Sequence, residues 1–211
     1  MTVKSNELDG RSARAMALRE ERRAQILAAA LQVFGDEGYH RASVASLVQA
    51  AGVARGTFYL YFDSKQAVFL ELLDSLLTAF RGTVTGVNTD LGAPALRDQL
   101  IQTTTRILEA ADQQHNLARI LLEEAVGLNA EVEQRLRAFE SELHDYIAKS
   151  MSNGKRLGWF GDHVDEQVAA SCVYGSIRQL LVRRICAGHT NRPPAVVATA
   201  FIDVQLRGLM P

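Results

Sequence analysis

Proline is scarce in this 211-residue chain: the four prolines stand at 94, 193, 194 and 211, and the first 93 residues have none. With apolar residues recurring at spacings of three and four throughout, that absence predicts helices from end to end. Cysteine is scarcer still. Cys172 and Cys186 alone can build neither a disulfide scaffold nor a tetrahedral metal site. If they share one helix they lie about 21 Å apart, against the roughly 7 Å limit for a bridge, and both read as small buried apolar residues. Neither charge sign dominates: 23 Lys and Arg against 24 Asp and Glu leave a formal −1, so any surface for nucleic acid or anionic lipid must be local. Uncharged stretches such as Val168 to Ile177 fall well short of the roughly 18 apolar residues of a membrane span, and the N-terminus lacks a signal peptide's apolar core. The expected location is the cytoplasm, with no membrane partner.

Catalytic motifs are missing as well. There is no GxSxG, no HExxH and no P-loop, since Gly154-Lys155-Arg156 lacks the glycine-rich lead and the following Ser or Thr. The five histidines are scattered at 40, 115, 144, 163 and 189. Glu140 and His144, at i and i+4, read as a surface pair rather than metal ligands, and Glu123-Glu124 and Glu131-Glu133 read as solvated faces. No catalytic residue, metal or cofactor is assigned, and the expected protein is not an enzyme.

What is present is a succession of helical segments. Residues 1–20 are polar, mix both charge signs, and predict a flexible arm. From Arg22 a helical face of Ile26, Ala29, Ala30, Val33 and Phe34 runs to a stop at Gly35 or Gly38. Ser43 is placed to cap a short helix carrying Val44, Leu47, Val48 and Ala51, which Gly52 ends. A third, from Ala54 to Leu60, is too short to stand alone. Asp63 or Ser64 then caps a fourth from Lys65 to about Arg81. Further helices are expected from Pro94 to Asp112, Asn116 to Val126, Ala130 to Asn153, His163 to Ala187 with a stop at Gly188, and Pro193 or Pro194 to Leu209.

Composition divides the chain along the fourth helix. Phe34, Tyr39, Phe58, Tyr59, Tyr61 and Phe62, six of 14 aromatics, cluster in the first part. Residues 1–65 carry nine Lys and Arg against seven Asp and Glu, a local +2, leaving 14 against 17, or −3, beyond. The expected organisation is an arm over 1–20, a helix-turn-helix domain over 21–65 and a larger all-α domain over 66–211.

Helices two and three, joined at Ala51-Gly52-Val53, form a helix-turn-helix pattern, the device that presents a short helix to the major groove. Alone the pattern is weak, because any two short helices joined at glycine imitate it. The flank adds chemistry: Arg55, Thr57, Tyr59, Tyr61 and Lys65 are donors within 11 residues. Gly56 has no side chain to keep a backbone away, and Phe58 and Phe62, at i and i+4, can anchor the helix inward.

The stretch from Arg22 to Phe69 closely resembles the DNA-binding domain of the TetR family of transcriptional regulators. The resemblance rests on Phe34, Gly38-Tyr39, Val44, Ala51-Gly52-Val53, Gly56-Thr57, Tyr59, Tyr61-Phe62 and Lys65 at the family's spacing, with Val48 a mild departure where alanine is common. It implies a homodimer whose paired third helices enter successive major grooves of a palindromic double-stranded operator. Ser43 would touch a phosphate, Arg55, Gly56 and Thr57 would face bases or phosphates with Tyr59 and Tyr61 flanking, and Lys65 would hold a phosphate. Arg55 is the side chain able to contact guanine bidentately. Arg11, Arg14 and Arg19 could add contacts.

For the remainder, the resemblance implies a ligand-binding and dimerisation domain. In the penultimate helix Val164, Val168, Cys172, Gly175 and Gln179 form one stripe and Val173, Ile177, Leu180 and Leu181 much of the other side, so it is apolar nearly all round. The expected dimer interface pairs Val168, Cys172 and Gly175 with Val197, Phe201 and Val204 of the last helix. Candidate lining residues for an apolar effector pocket are Phe80, Thr104, His115, Phe139, Tyr146, Trp159 and Tyr174, and the expected effector is a hydrophobic or amphipathic small molecule. Repression is the expected sign of regulation. Two other classes compete: an all-helical small-molecule-binding protein or enzyme without DNA binding, and an adaptor that meets a protein partner through Arg183 and Arg184.

Overall fold

Helices are the only regular elements among the described residues of the computed structural model, namely 3–124, 128–187 and 192–209, with side chains described for these apart from 3–12 and 124. In chain order they are α1 (Val3–Glu37), α2 (Val44–Ala51), α3 (Arg55–Tyr59), α4 (Lys65–Thr83), α5 (Leu96–Gln113), α6 (His115–Glu124), α7 (Ala130–Arg156), α8 (Glu166–Ile185) and α9 (Pro194–Leu209). The expected helix end at Val126, the stop at Gly188 and the side chain of Arg11 lie outside the described residues. The chain divides within α4 into two compact units, Met1–Asp74 and Ser75–Pro211.

The first unit is built on aromatic packing. Ile26, Ala30, Val33 and Phe34 of α1 are buried. The Phe34 ring lies 5.5 Å from Tyr39 and 5.9 Å from Phe69, and Tyr39 lies 4.8 Å from Phe69. Gly38, at φ 81°, turns the chain so that Tyr39 folds back onto Phe34. Sequence reading puts the boundary at the start of α4, but Val68, Phe69, Leu70, Leu72 and Leu73 are buried, and this stretch of α4 belongs to the first unit.

The expected arm over 1–20 is instead an extension of α1 from Val3. Its described side chains, Ala13 through Glu21, are exposed. Helix needs no buried face here: the nucleus exists downstream, and a proline-free run rich in Glu, Arg, Ala and Leu propagates it.

In the second unit α7 packs along α8 and α5 along α9. One cluster gathers Met151, Phe160, Val164 and Ala169 with Trp159 and Val173 against it, and another gathers Ala111, Ala118 and Ile185 with Phe80 and Leu181. Three arginine forks tie helices across these contacts. Arg97 Nε donates to Asp203 Oδ1 at 2.7 Å, Arg184 Nε to Asp112 Oδ1 at 2.6 Å, and Arg81 grips Glu142 through both Nε and Nη2. Arg184 also donates to the Arg192 carbonyl at 2.9 Å, so it is a structural tie and not the exposed cation that the adaptor reading needs.

Several expected bounds shift for local reasons. α5 starts at Leu96 rather than Pro94, because the Gln99 amide folds back to take the Asn88 N–H at 2.7 Å and the Pro94 carbonyl at 2.7 Å, keeping the preceding loop out of the helix. α8 starts at Glu166, capped by Asp165, whose carboxylate accepts from Gln167 and Val168. Ser64, not Asp63, caps α4. Cys172 is exposed and Cys186 only partly buried, which corrects the reading of both as buried.

α7 passes its expected end at Asn153 and runs to Arg156. The stop is Gly158 at φ 72°, with Gly158 N–H on the Lys155 carbonyl at 2.9 Å and Trp159 N–H on Gly154 at 2.9 Å, the paired bonds of a Schellman end. Gly154 serves packing instead: a Cβ there would stand 2.3 Å from two carbons of the Phe160 ring. Gly154→Ala gains about 1 kcal/mol of helix propensity but must push a buried ring aside, for about 1 to 3 kcal/mol. The expected result is a lowered urea midpoint for the second unit; an unchanged or raised midpoint would mean that the ring relocates freely.

Candidate nucleic-acid interface

The helix-turn-helix is assembled by short-range bonds. Ser43 is the N-cap of α2 in extended conformation. Its Oγ accepts the Ser46 N–H at 3.1 Å while its own N–H donates to Ser46 Oγ at 2.9 Å, a reciprocal capping box. Gly52, at φ 62°, ends α2 with its N–H on Gln49 at 3.2 Å and Val53 N–H on Val48 at 3.3 Å. From α1, Gln25 Nε2 donates to the Ala51 carbonyl at 2.8 Å, holding the turn from outside.

α3 has five residues and no side-chain cap, so tertiary contact must hold it. Phe58 is fully buried and Phe62 nearly so, with centroids 6.0 Å apart, as their i, i+4 spacing implies. The opposite face is open. Arg55 and Gly56 are exposed, Thr57 and Tyr61 partly so, Tyr59 is 45% exposed and Leu60 72%. The Arg55 guanidinium sits 5.9 Å from the Tyr59 ring centroid, and Arg19 of α1 sits 5.9 Å from Tyr61. A Cβ at Gly56 would meet nothing within 4 Å, so no contact inside the chain explains glycine there.

Lys65 is placed differently from the other candidates. Its Nζ donates to the Tyr39 carbonyl at 2.6 Å and the Ala42 carbonyl at 2.8 Å, and lies 4.3 Å from the Tyr39 ring centroid. Burial pushes its pKa below the usual lysine value. Two of its three protons are therefore committed inside the protein, and the third remains for the phosphate contact expected of it.

Sequence reading missed Ser46, Gln25 and Arg23. Ser43-x-x-Ser46 is a legible, if weak, variant of the capping box. Arg23 pairs with Glu71 and lies 5.4 Å from the Phe62 centroid, a link across 48 positions that no local spacing reveals.

In the second unit the expected interface residues split by exposure. Val168 is 61% and Val204 69% exposed, Cys172 and Gly175 are exposed and Val197 partly so, but Phe201 is buried. An open groove between α8 and α9 is lined by Gly175, Leu180, Val197, Ala200, Phe201 and Val204. The seven pocket candidates do not converge. Phe80 and Trp159 join different clusters, Thr104 is buried, and His115 is exposed. Phe139 lies under Arg81 at 5.2 Å, and Tyr146 is 39% exposed. Tyr174 donates to Glu140 Oε1 at 2.8 Å, and burial followed by that bond pushes its phenol well above the usual value. Glu140 and His144 are thus more than a surface pair: His144 Nε2 lies 3.0 Å from Ser171 Oγ, so both reach α8. Among the described residues no group of three or more His, Cys, Asp or Glu is placed to hold a metal, and no described helix is long and apolar enough to cross a membrane.

Because α3 is held chiefly by one ring, Phe58→Ala should cost about 3 to 5 kcal/mol. Amide hydrogen exchange of the full chain should then show protection lost across α2 and α3 while α7 and α8 keep theirs. Retained protection in α3 would mean that Phe62 suffices.

Residues 26–72 match the family model described as bacterial regulatory proteins, tetR family. The chain is 26% identical over 193 residues to an HTH-type transcriptional regulator of Bacillus subtilis, YdgC, spanning 90% of this chain and 94% of that one. It is 25% identical over 154 residues to the fatty acid metabolism regulator protein of the same organism, spanning 72% and 78%. A crystal structure of the transcriptional regulator FadR from Bacillus subtilis in complex with stearoyl-CoA superposes with a TM-score of 0.72 at 19% identity, over 88% of this chain and 98% of that one. Residues 26–72 are thus the DNA-binding domain of the TetR family of transcriptional regulators.

Proposed function

We propose that this regulator binds a palindromic operator as a homodimer and is released by a hydrophobic or amphipathic small molecule, with repression as the sign of its control. The observation that carries the reading is the open face of α3, where Arg55, Gly56 and Tyr59 stand exposed on a helix anchored from behind by Phe58. Arg55 supplies the bidentate donor for guanine. Gly56 has no packing partner to explain it, and its bare backbone suits close approach of DNA. Thr57, Tyr59 and Tyr61 flank, and Ser43 meets a phosphate at the start of α2, where the helix dipole favours an anion. Arg14 and Arg19 extend the basic surface along α1.

The second copy packs on the α8 and α9 faces that leave Val168, Val196 and Val204 exposed. Apolar side chains ringed by small residues suit an isologous helix interface. The effector is an acyl-chain or aromatic compound, a reading supported by the fatty acid regulator among the relatives and the stearoyl-CoA complex among the structural neighbours. Phe80, Thr104, His115, Phe139, Tyr146, Trp159 and Tyr174 remain the candidates to contact it. α4, which contributes residues to both units, links effector and operator, whose affinities must then oppose each other reciprocally.

The test is selection of bound duplexes from random DNA with the full chain, repeated with Arg55→Ala. A palindromic site should emerge, with one position relaxed by Arg55→Ala at a cost of about 1 to 3 kcal/mol in discrimination. Gly56→Ala should split two readouts, raising thermal stability by about 0.5 to 1 kcal/mol while weakening the selected duplex. Selection of nothing in the absence of effector would remove the DNA-binding reading. Val204→Asp, on an exposed position, should shift sedimentation toward monomer without unfolding the chain, and an unchanged dimer would remove α9 from the interface.

A further inference from the structure

The helical backbone of α3 continues one residue past Tyr59. Leu60 stands at φ −74° and ψ −16°, with its N–H on the Thr57 carbonyl at 3.2 Å, so the helical register of side chains carries through it. In that register Phe58 and Phe62 face inward, while Arg55 with Tyr59, and Gly56 with Leu60, each stand one turn apart on the exposed side. The two rows differ in chemistry. Arg55 and Tyr59 end in polar groups, whereas Gly56 has no side chain and Leu60 carries carbon alone. Leu60 is 72% exposed, the most exposed large apolar residue described in the first unit. A single exposed leucine is ordinary on a protein surface. This one completes the row that begins at Gly56, on the face that the proposed function gives to DNA.

We propose that Leu60 is a specificity-determining residue that packs on the 5-methyl group of a thymine in the major groove of the operator. Leucine can neither pair with a phosphate nor hydrogen-bond to a base edge, and the thymine methyl is the apolar group that a base pair offers in that groove. Contact between them takes both surfaces out of water, a favourable transfer that no contact inside the chain gives to so exposed a side chain. Gly56 makes the reach possible: a bare backbone one turn earlier lets the helix come close enough for a side chain of leucine length to touch the bases. Arg55 and Leu60 are five residues apart, about 7.5 Å along a helix axis, or the span of about two base pairs. The thymine therefore lies within about three base pairs of the position that Arg55 reads. Arg55 brings donors for guanine and Leu60 a carbon surface for thymine, so one short stretch of chain distinguishes two bases by different chemistry.

The role of Leu60 rests on the DNA-binding reading, and the experiment separates the two. In the duplex selected by wild type, each thymine is replaced in turn, in both half-sites, by deoxyuridine, which pairs alike and lacks only the methyl. Dissociation constants of the full chain are measured for wild type and Leu60→Ala. At one thymine within about three base pairs of the position relaxed by Arg55→Ala, deoxyuridine should weaken wild type roughly fourfold per half-site and leave Leu60→Ala within about twofold, the scale of one buried methyl-sized group. At every other thymine the two proteins should respond alike. Selection repeated with Leu60→Ala should relax that thymine and keep the guanine read by Arg55. Where Leu60→Ala does not fold, the scan of wild type decides alone, because a span with no sensitive thymine overturns the proposal. A methyl that matters equally to both proteins, as contact from Thr57 or Tyr59 would make it, also overturns the role of Leu60 and leaves the DNA-binding reading standing. Absence of any selected duplex for wild type overturns both.

Discussion

A helix of five residues has no stability of its own, since the cost of nucleating a turn is not recovered over so few hydrogen bonds. α3 exists because Phe58 is fully buried and Phe62 lies one turn further along the same inward side. Every group proposed to read DNA inherits its position from that anchorage. The aromatic set of Phe34, Tyr39 and Phe69 does the same work for the loop before α2. The first unit is therefore two ring-packed supports carrying short helices whose exposed faces are left to chemistry rather than to packing.

The second unit solves a different problem, the register of long helices. Apolar packing along α7 and α8 is directionless and tolerates sliding, whereas a guanidinium fork does not. Arg97 on Asp203 and Arg81 on Glu142 are exposed pairs that add little stability, but each specifies which turns of α5 and α9, or of α4 and α7, lie side by side. Arg184 ties α5 to α8 and also holds the Arg192 carbonyl, so the approach to α9 is set from the same point. With register fixed by polar forks, the outer faces of α8 and α9 can stay apolar and open, as Val168 and Val204 are.

What was legible in the sequence follows the range of the interactions. Ser43 as a cap, Gly52 as a left-handed end and Phe58 with Phe62 as anchors are all relations within four residues, and each was readable from spacing. The expected end at Asn153 falls short because a glycine in a helix looks the same whether it ends the helix or admits a ring; only Phe160, six residues on from Gly154 and folded back, distinguishes them. The extension of α1 carries no apolar periodicity to announce it, because propagation from an existing helix needs only a proline-free run of good formers. Size and amphipathic character, the marks of the ligand candidates, are shared by core and pocket, and Phe80 and Trp159 fall in separate clusters. Lys65 was recognised as a functional position, but its partners lie 26 and 23 residues away, beyond the reach of periodicity.

Charge gives these placements their importance. Residues 1–65 hold nine Lys and Arg against seven Asp and Glu, a small surplus for a surface that must meet a polyanion. Several of those cations already have partners: Arg23 on Glu71, Arg22 on Gln25, Arg41 on the Glu37 carbonyl and Lys65 on its two carbonyls. Arg23 is neutralised by Glu71, whereas Arg22, Arg41 and Lys65 keep their charge on neutral acceptors, so it is the small net surplus that bounds sequence-independent affinity, a term that scales with the number of phosphates neutralised. Under the proposed function, recognition comes from placing a few groups accurately against base edges, where a displaced guanidinium contributes nothing. The internal use of cations and the rigid delivery of α2 and α3 are in this sense one property. The same side chains hold the helix-turn-helix in the single geometry that the role proposed for Arg55 requires.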